Sequence, residues 1–211
     1  MSAAQGYVLL VEDDPDILKL LETTLTFSGY RVFAARNGNE GLEVMQKERP
    51  AIVITDIMMP RLDGFGLVNR LRIDPETREI PVVFITATFV TPEDKEFALD
   101  IGATRFIQKP IDIEEFLETV RELLKQGAHV ATFEPLKDFN FFDGYRKRLE
   151  AKLDQKNTQI ARVELLLETT QSDEERQSLQ TSLRQAVSER EEIKHLLTQI
   201  HERLKKYNQS E

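Results

Sequence analysis

Short apolar runs alternate with longer amphipathic stretches through the first 126 residues of the chain. The runs lie at 7–11, 30–34, 51–55, 81–85 and 104–107. Their continuous Val, Ile, Leu and Phe content predicts β-strands that are covered on both faces, and the stretches between them predict α-helices. Strands that alternate with helices form a parallel sheet. Five such strands in a unit of this length favour the doubly wound, flavodoxin-like α/β fold with strand order 2-1-3-4-5.

Capping residues mark the helix boundaries. Asp14 before Pro15 is an N-cap followed by a proline in the first turn, and Thr91 before Pro92 repeats the arrangement. We expect these helices to stop at glycines, which tolerate the left-handed conformation of a helix C-terminus. The glycines in question are Gly29, Gly102 and Gly127.

The second part of the chain has a different pattern. Residues 128–142 contain four phenylalanines and predict a connector, and from residue 143 onward Gly144 is the only glycine or proline. Apolar positions there are spaced alternately by four and three, which predicts two helical heptad seams. The first seam is Leu149, Leu153, Lys156, Ile160, Val163, Leu167 and Thr170, and the second is Leu179, Leu183, Ala186, Arg190, Ile193, Leu197, Ile200, Leu204 and Tyr207.

The register of the first seam ends near residues 169–175, where its continuation would be polar. Ser172 followed by Glu175 is a capping-box signature, so a new helix is expected to begin there. We therefore predict that residues 143–211 form a helical hairpin. A phase-shifted single helix that forms a parallel dimer is the alternative.

Length and composition agree with one globular unit and an elongated appendage. The chain has 211 residues, of which 40% are hydrophobic and 31% are charged. The predicted domains are a globular unit at 1–127, the connector at 128–142 and the helical hairpin or coiled coil at 143–211. The absence of cysteine excludes disulfides, thiolate metal sites and cysteine nucleophiles. No stretch approaches the ~18 apolar residues of a membrane span, so we expect a cytoplasmic protein without membrane contact.

The charge distribution argues against a nucleic-acid surface. Residues 1–127 carry 14 Lys and Arg against 22 Asp and Glu, and residues 128–211 carry 14 against 15. Direct binding to nucleic acid relies on clustered cationic side chains, and neither part is a basic patch. We therefore expect no direct nucleic-acid partner.

Polar residues that could carry chemistry follow four of the predicted strands. They are Glu12, Asp13 and Asp14 after the first strand, Asp56 after the third, Thr86 after the fourth and Lys109 after the fifth. The carboxyl ends of parallel strands meet at one edge of the sheet, so these side chains are expected to lie together. Clustered carboxylates repel one another unless a cation joins them, and hard oxygen donors suit Mg²⁺. Asp14 is assigned instead to the helix cap.

Four segments together resemble the signature regions of the response regulator receiver family. They read VLLVEDDP at 8–15, IVITDIMMPRLDG at 52–64, FITA at 84–87 and FIQKP at 106–110. The likeness covers residues 6 to about 126, in the correct order and spacing. Any one segment alone would be a weak signal, whereas the set of four is specific.

The resemblance implies a role for each matching residue. Asp56 would accept a phosphoryl group, Asp13 with Glu12 beside it would hold Mg²⁺, and Met58 would contribute its backbone carbonyl to the metal. A carboxylate is a weak nucleophile, so neutralisation of the transferring group by Mg²⁺ and by a lysine makes the attack feasible.

The remaining matches concern the switch. Thr86 would turn its hydroxyl toward the phosphoryl group, and Lys109 would pair with the same group. Phe106 matches an aromatic switch position, and the Lys109–Pro110 bond matches a peptide bond that is cis in the family. Residues 92–126 would form the readout face.

The predicted function is that of a two-component response regulator. A sensor histidine kinase or a phosphotransfer protein would phosphorylate it, and its helical output would act through protein contact or dimerisation instead of DNA. It would catalyse only its own phosphorylation and dephosphorylation, so it is not classed as an enzyme. Many DNA-binding members of the family have acidic residues where this chain has Thr104 and Arg105, which argues against their dimer interface.

Two other functions are compatible with the pattern. The first is a phosphorelay phosphotransferase that uses His195 or His201, although neither histidine is followed by the extended motif of sensor kinases. The second is a scaffold with a constitutive receiver, against which the complete acceptor set argues.

Overall fold

The apolar runs form a five-stranded sheet in the computed structural model, which describes residues 6–87, 89–126, 138–170 and 172–208. The strands are β1 (Val8–Val11), β2 (Val32–Ala35), β3 (Ile52–Thr55), β4 (Val82–Thr86) and β5 (Arg105–Gln108). Their order is β2-β1-β3-β4-β5, and every adjacent pair is parallel. The predicted flavodoxin-like topology is confirmed.

Burial differs between the central and the edge strands. Every residue of β1, β3 and β4 is buried, as a strand covered by helices on both faces requires. Phe33 of β2 is 37% exposed, and Arg105 and Gln108 of β5 are also exposed. The expectation that all five strands are covered on both faces is therefore wrong for β2 and β5. These two strands lie at the sheet edges, where the covering helices leave part of each strand open to solvent.

Five helices connect and cover the strands. They are α1 (Pro15–Phe27), α2 (Gly38–Met45), α3 (Gly64–Ile73), α4 (Pro92–Asp100) and α5 (Ile113–Gln126). Asp14 caps α1, because its side chain accepts the backbone N–H groups of Asp16 and Ile17. Thr91 caps α4 in a capping box with Asp94. Both predicted helix starts are confirmed.

Positive φ angles occur at two of the three predicted stop glycines. They are 87° at Gly29 and 98° at Gly102, in the left-handed region that glycine tolerates without a steric penalty. The third, Gly127, lies outside the described residues.

A buried arginine joins α3 to the turn after α4. Arg72 is 2% exposed, and its Nε and Nη2 atoms both donate to the carbonyl oxygen of Gly102, at 3.0 and 2.6 Å. Burial lowers the pKa of Arg72 to about 10. A Cβ on Gly102 would lie 2.5 Å from Arg72 Nε, so the guanidinium occupies the space that a larger residue would need.

The second unit of the chain, Lys137–Glu211, contains two antiparallel helices. They are α6 (Asp138–Thr169) and α7 (Asp173–Asn208). Lys156 of α6 forms an ion pair with Glu189 of α7, and the rings of Phe142 and Tyr207 lie 6.2 Å apart. The chain therefore turns back on itself. The hairpin is the correct one of the two predicted arrangements, and the single phase-shifted helix is wrong.

Helix α6 begins before the predicted boundary at residue 143. Residues 138–142, assigned to the connector at 128–142, form its first turn. The aromatic residues there are part of the helix packing: Phe141 is 2% exposed and its ring lies 6.0 Å from that of Tyr145. Residues 127–137 lie outside the described residues.

The predicted seams coincide with the inner sides of both helices. Every seam residue is buried or half-buried. The buried ones are Leu149, Ile160, Ala186, Ile193, Leu197, Ile200 and Leu204. Ser172 Oγ accepts the N–H of Glu175 at 3.5 Å, and α7 begins at the next residue as predicted. Within the described residues, no helix is both long and apolar enough to span a bilayer.

Candidate functional site

Three carboxylates converge at the carboxyl ends of β1 and β3. Glu12 and Asp13 follow β1, and Asp56 follows β3. One carboxylate oxygen of each lies within 4.8 Å of those of the other two. The backbone fixes these positions, because the N–H of Asp56 donates to Val11 O at 2.9 Å and the N–H of Glu12 donates to Ala35 O at 3.0 Å.

Lys109, just after β5, lies between two of these carboxylates. Its Nζ donates to Glu12 Oε2 at 2.9 Å and to Asp56 Oδ2 at 3.0 Å. The lysine side chain is 13% exposed and those of Glu12 and Asp56 are 2% and 12% exposed, so solvent screens these charges little. The N–H of Lys109 donates to Thr86 O at 2.9 Å, and the Lys109–Pro110 bond is cis.

The acidic groups have pKa values above their ordinary range. Burial, and then the charge of Asp56, raises the pKa of Glu12 to about 7 against the opposing effect of Lys109. The same two causes, in the same order, raise the pKa of Asp13. Burial also raises the pKa of Asp56, although Lys109 opposes it. Burial alone would lower the pKa of Lys109, but Asp56 and Glu12 outweigh it and raise that pKa.

The loop after β3 holds Asp56 through its backbone. Asp56 Oδ1 accepts the N–H of Ile57 at 2.6 Å, and Thr55 Oγ1 donates to Asp56 O at 2.8 Å. Gly64, the first residue of α3, donates its N–H to Ile57 O at 2.8 Å, and a Cβ on Gly64 would collide with Asp56 O. Thr55 and Gly64 thus position the site, and sequence reasoning did not single them out. The Asp-Gly pair at 63–64 was the signal available for Gly64.

The remaining predicted site residues lie on or next to neighbouring elements. Met58 is half-buried in the loop after β3, and its backbone N–H helps to stabilise the charged form of Asp56. Thr86 is fully buried at the end of β4. Phe106 is half-buried on β5, and Lys95 Nζ of α4 lies 5.7 Å from the centre of its ring.

The composition of the cluster fits a magnesium ion. Three carboxylates face one ammonium, so Lys109 alone does not balance the negative charge of the cluster when all three are ionised. The donors are all oxygens, and Asp13 is exposed, which leaves access for water. Mg²⁺ prefers a few carboxylates with several waters.

More than half of the chain matches one protein family. Residues 8–121 match the model described as the response regulator receiver domain. The chain belongs to the response regulator receiver family. The match extends from β1 into α5, and helices α6 and α7 lie outside it.

Curated relatives share the receiver part. The chain is 39% identical over 124 residues to the uncharacterized transcriptional regulatory protein YkoG of Bacillus subtilis, a match that covers 58% of this chain and 53% of YkoG. It is 38% identical over 119 residues to the DNA-binding dual master transcriptional regulator RpaA of Synechocystis, covering 56% of this chain and 49% of RpaA. The chain thus spans about half the length of these relatives.

Solved receiver structures have the same fold. The receiver domain of a signal transduction histidine kinase from Syntrophus aciditrophicus is 31% identical, with a TM-score of 0.54 and coverage of 63% of this chain and 99% of that one. The chemotaxis response regulator CheY4 of Vibrio cholerae is 32% identical, with a TM-score of 0.53 and coverage of 57% and 99%. The receiver domain of the sensor histidine kinase PA1611 from Pseudomonas aeruginosa, with magnesium coordinated in its active-site cleft, is 26% identical, with a TM-score of 0.53 and coverage of 58% and 99%.

The two candidate phosphorelay histidines lie outside the receiver, on α7. His195 Nε2 is 2.8 Å from Gln199 Nε2, and His201 Nδ1 is 2.8 Å from Leu197 O. The receiver match does not include them, so the phosphotransferase alternative has no support from the comparisons.

Proposed function

We propose that this chain is a two-component response regulator in which Asp56 accepts a phosphoryl group in a Mg²⁺-dependent reaction. The observation that carries the proposal is the convergence of Lys109 on Asp56 and Glu12, with Asp13 close by. A sensor histidine kinase or a phosphotransfer protein would supply the group, as membership in the receiver family suggests.

Glu12, Asp13 and Asp56 would hold Mg²⁺, together with the backbone carbonyl of Met58. The magnesium in the cleft of the PA1611 receiver supports this choice of ion. Bound there, Mg²⁺ would neutralise negative charge on the transferring phosphoryl group.

The chain's own residues would supply the nucleophile and its alignment. An oxygen of Asp56 would form the new bond to phosphorus while the bond between phosphorus and the donor atom breaks, so that the electron pair leaves with the donor. Lys109 already donates to Asp56 and would donate to a phosphoryl oxygen instead. Thr86 at the end of β4 would donate its hydroxyl to the same group, and movement of Phe106 would pass the change to α4, β5 and α5.

The output would be the α6–α7 hairpin, through protein contact or dimerisation without direct DNA binding. Support comes from the balance of 14 basic against 15 acidic residues in 128–211, because binding to the phosphates of DNA relies on clustered cationic side chains. YkoG and RpaA are named as transcriptional regulators, but their matches concern about half of their length. Fluorescence anisotropy with random-sequence duplex DNA, measured with and without beryllofluoride, tests the absence of DNA binding.

The test of the acceptor uses wild type and Asp56→Asn with acetyl phosphate and Mg²⁺. Intact-mass spectrometry is expected to show a phosphoryl adduct on the wild type alone, and the adduct should be absent in EDTA. Asp14→Asn is the matched control, since it removes an exposed carboxylate two residues from Glu12 while asparagine still caps α1. Equal phosphate incorporation by wild type and Asp56→Asn would overturn the proposal.

A further inference from the structure

The loop between β3 and α3 contains a strained turn. The N–H of Leu62 donates to Pro60 O at 2.9 Å, which closes a γ-turn around Arg61. Arg61 has a φ of 68°, and no other non-glycine residue in the described ranges has a positive φ. A γ-turn with a positive φ at its centre is rare and costs conformational energy, so the surrounding structure must hold it in place.

The strained turn belongs to the loop that carries Met58, whose carbonyl is a predicted magnesium ligand. The loop is closed at its base, where the N–H of Gly64 donates to Ile57 O at 2.8 Å. Ile57 and Met59, on either side of Met58, are both buried. Contacts that fix the turn at Arg61, two residues beyond Met59, therefore limit where the Met58 carbonyl can lie.

The first residue of α2 contacts the backbone of the turn. Gly38 donates its N–H to Leu62 O at 2.8 Å. A Cβ on Gly38 would lie 2.8 Å from the same oxygen and 2.8 Å from Leu62 Cγ, so the contact leaves no room for a methyl group. Gly38 is part of a helix, which alanine also favours. The close approach of the loop, and not the conformation of Gly38, thus requires glycine here.

The side chain of Glu40 joins the same turn to the start of α2. Its Oε1 accepts from Arg61 Nη1 at 3.2 Å and from Asn37 Nδ2 at 2.7 Å. Its Oε2 accepts the N–H of Arg36 at 3.0 Å. The Arg61 and Glu40 side chains are 66% and 38% exposed, so their ion pair contributes less than the backbone contact of Gly38.

The start of α2 is also joined to the opposite side of the carboxylate cluster. The N–H of Glu12 donates to the carbonyl oxygen of Ala35, the last residue of β2, at 3.0 Å. Asn37, two residues later, is the N-cap of α2. One short segment therefore contacts the backbone of Glu12 and, through Gly38, the loop of Met58.

We propose that the N-terminus of α2 positions the Met58 carbonyl for Mg²⁺, with Gly38 and Glu40 as positioning residues that act through the turn at Arg61. Mg²⁺ demands near-ideal octahedral geometry, so a small displacement of one ligand weakens its binding. Residues that orient metal ligands commonly change metal affinity by about 10- to 100-fold. The inference rests on the proposed function and deepens it, because it assigns further residues to the same magnesium site.

The first experiment compares two glycine variants of the full-length chain by isothermal titration calorimetry with Mg²⁺. In Gly38→Ala the new Cβ would lie 2.8 Å from a backbone oxygen, so the loop must shift, and the Kd for Mg²⁺ is expected to rise about tenfold. Gly66→Ala is the matched control, because its Cβ would meet side chains only, the nearest atom being Leu62 Cδ1 at 2.7 Å. That side chain can change rotamer, so the Kd should stay within about twofold of wild type.

Two further measurements separate positioning from a purely structural role. Urea unfolding in EDTA reports the stability of the metal-free fold, which any steric clash can lower without a change in the Mg²⁺ affinity of the folded chain. The rate of phosphorylation by acetyl phosphate is also measured against Mg²⁺ concentration. Gly38→Ala should need about tenfold more Mg²⁺ for its half-maximal rate and should approach the wild-type rate at saturating Mg²⁺.

The second experiment uses Arg61→Gln, which removes the ion pair without a change in packing. The Arg61 side chain is largely exposed, so the variant is expected to fold. Loss of a cation by itself would strengthen Mg²⁺ binding, whereas loss of the contact with Glu40 should weaken it about two- to fivefold. Arg78→Gln, at an exposed receiver position outside the turn, is the charge-matched control and should not weaken binding.

Three results would overturn the inference: wild-type Mg²⁺ affinity in Gly38→Ala, an equal loss of affinity in Gly66→Ala, or an affinity in Arg61→Gln that is not lower than that of wild type. A wild-type chain that binds no Mg²⁺ would refute the inference and the proposed function together. Normal Mg²⁺ binding by wild type without phosphorylation of Asp56 would refute the proposed acceptor alone, because the calorimetric measurement does not depend on phosphorylation.

Discussion

Glu12→Gln is expected to stabilise the metal-free receiver at alkaline pH, although it removes a hydrogen-bonded ion pair. The carboxylate is buried, and its pKa rises from 4.5 to about 7 because burial and the charge of Asp56 disfavour its ionised form. Lys109 keeps its second acceptor, Asp56 Oδ2 at 3.0 Å, when the charge of Glu12 is removed. The amide of glutamine has nearly the same shape and can still accept from Lys109 Nζ.

The size of the effect follows from proton linkage. Below pH 4.5 the Glu12 carboxyl is protonated in the folded and in the unfolded chain, so its ionisation does not change the free energy of unfolding. As the pH rises from 4.5 to about 7, Glu12 loses its proton in the unfolded chain before it does so in the folded chain, so the free energy of unfolding falls. Above about pH 7 the carboxylate is ionised in both, and the full cost of its burial as an anion applies. A shift of this size corresponds to about 3 kcal/mol. The pKa of Glu12 already includes the attraction of Lys109. We expect Glu12→Gln to recover about 1–3 kcal/mol of this at pH 8, because the buried amide of glutamine keeps part of the desolvation cost.

The measurement is urea unfolding of the full-length chain in EDTA at pH 4.5, 6.5 and 8. The hairpin and the receiver need not unfold together, so amide exchange of peptides that contain β1 reports on the receiver alone. Glu12→Gln and wild type should have equal stability at pH 4.5 and diverge as the pH rises. Asp14→Asn removes an exposed charge nearby and should show no such divergence.

A variant no more stable than wild type at pH 8, or a difference of equal size at all three pH values, would refute this reasoning. In the first case the ion pair with Lys109 would stabilise the fold more than burial and Asp56 destabilise it. In the second case the effect would come from packing and not from ionisation.

Further outcomes follow from the same structure. Gly102→Ala should lower the free energy of unfolding by about 2 kcal/mol or more, because φ is 98° and the new Cβ would lie 2.5 Å from Arg72 Nε. Gly29→Ala, with φ of 87° and no atom within 4 Å of the new Cβ, should cost only about 1 kcal/mol in the same urea titration. Leu149→Ala should lower the free energy of unfolding of α6 by about 2–5 kcal/mol, because the side chain is fully buried. Leu165→Ala, at a side chain that is 62% exposed, should change it by less than about 0.5 kcal/mol, with both measured by amide exchange of α6 peptides. Mg²⁺ should raise the urea midpoint of the receiver more at pH 8 than at pH 5, because the carboxylates are more fully ionised there; equal shifts would contradict the assignment of the ion to this cluster.

Local patterns predicted most of the fold. The apolar runs placed the strands within about two residues, and the caps at Asp14, Thr91 and Ser172 placed three helix starts, because these signals depend on neighbouring residues alone. The exposure of β2 and β5 could not be predicted in the same way. Which strand lies at an edge depends on the crossovers of the whole sheet, and the apolar run of β2 resembles that of a central strand.

The site was also predicted in part from local patterns. Residue type and position after each strand predicted Glu12, Asp13, Asp56 and Lys109, and the structure brings them together. The supporting contact of Gly64 depends on how closely α3 approaches the loop, which is a three-dimensional distance. Burial of Arg72 likewise depends on a carbonyl group thirty positions along the chain, and no periodicity in α3 indicates it.

The contact of Arg72 with Gly102 fixes the C-terminal end of α4. Two hydrogen bonds from a buried guanidinium hold the turn at its C-terminus, and the absence of room for a Cβ leaves that turn little freedom to shift. Its N-terminus begins with the cap at Thr91, a few residues after Thr86. We therefore expect a displacement that begins at Thr86 to move Pro92, at the N-terminal end of α4, more than Ile101 at its C-terminal end. The helix would turn a small rotation of one hydroxyl into a change of angle across its whole length.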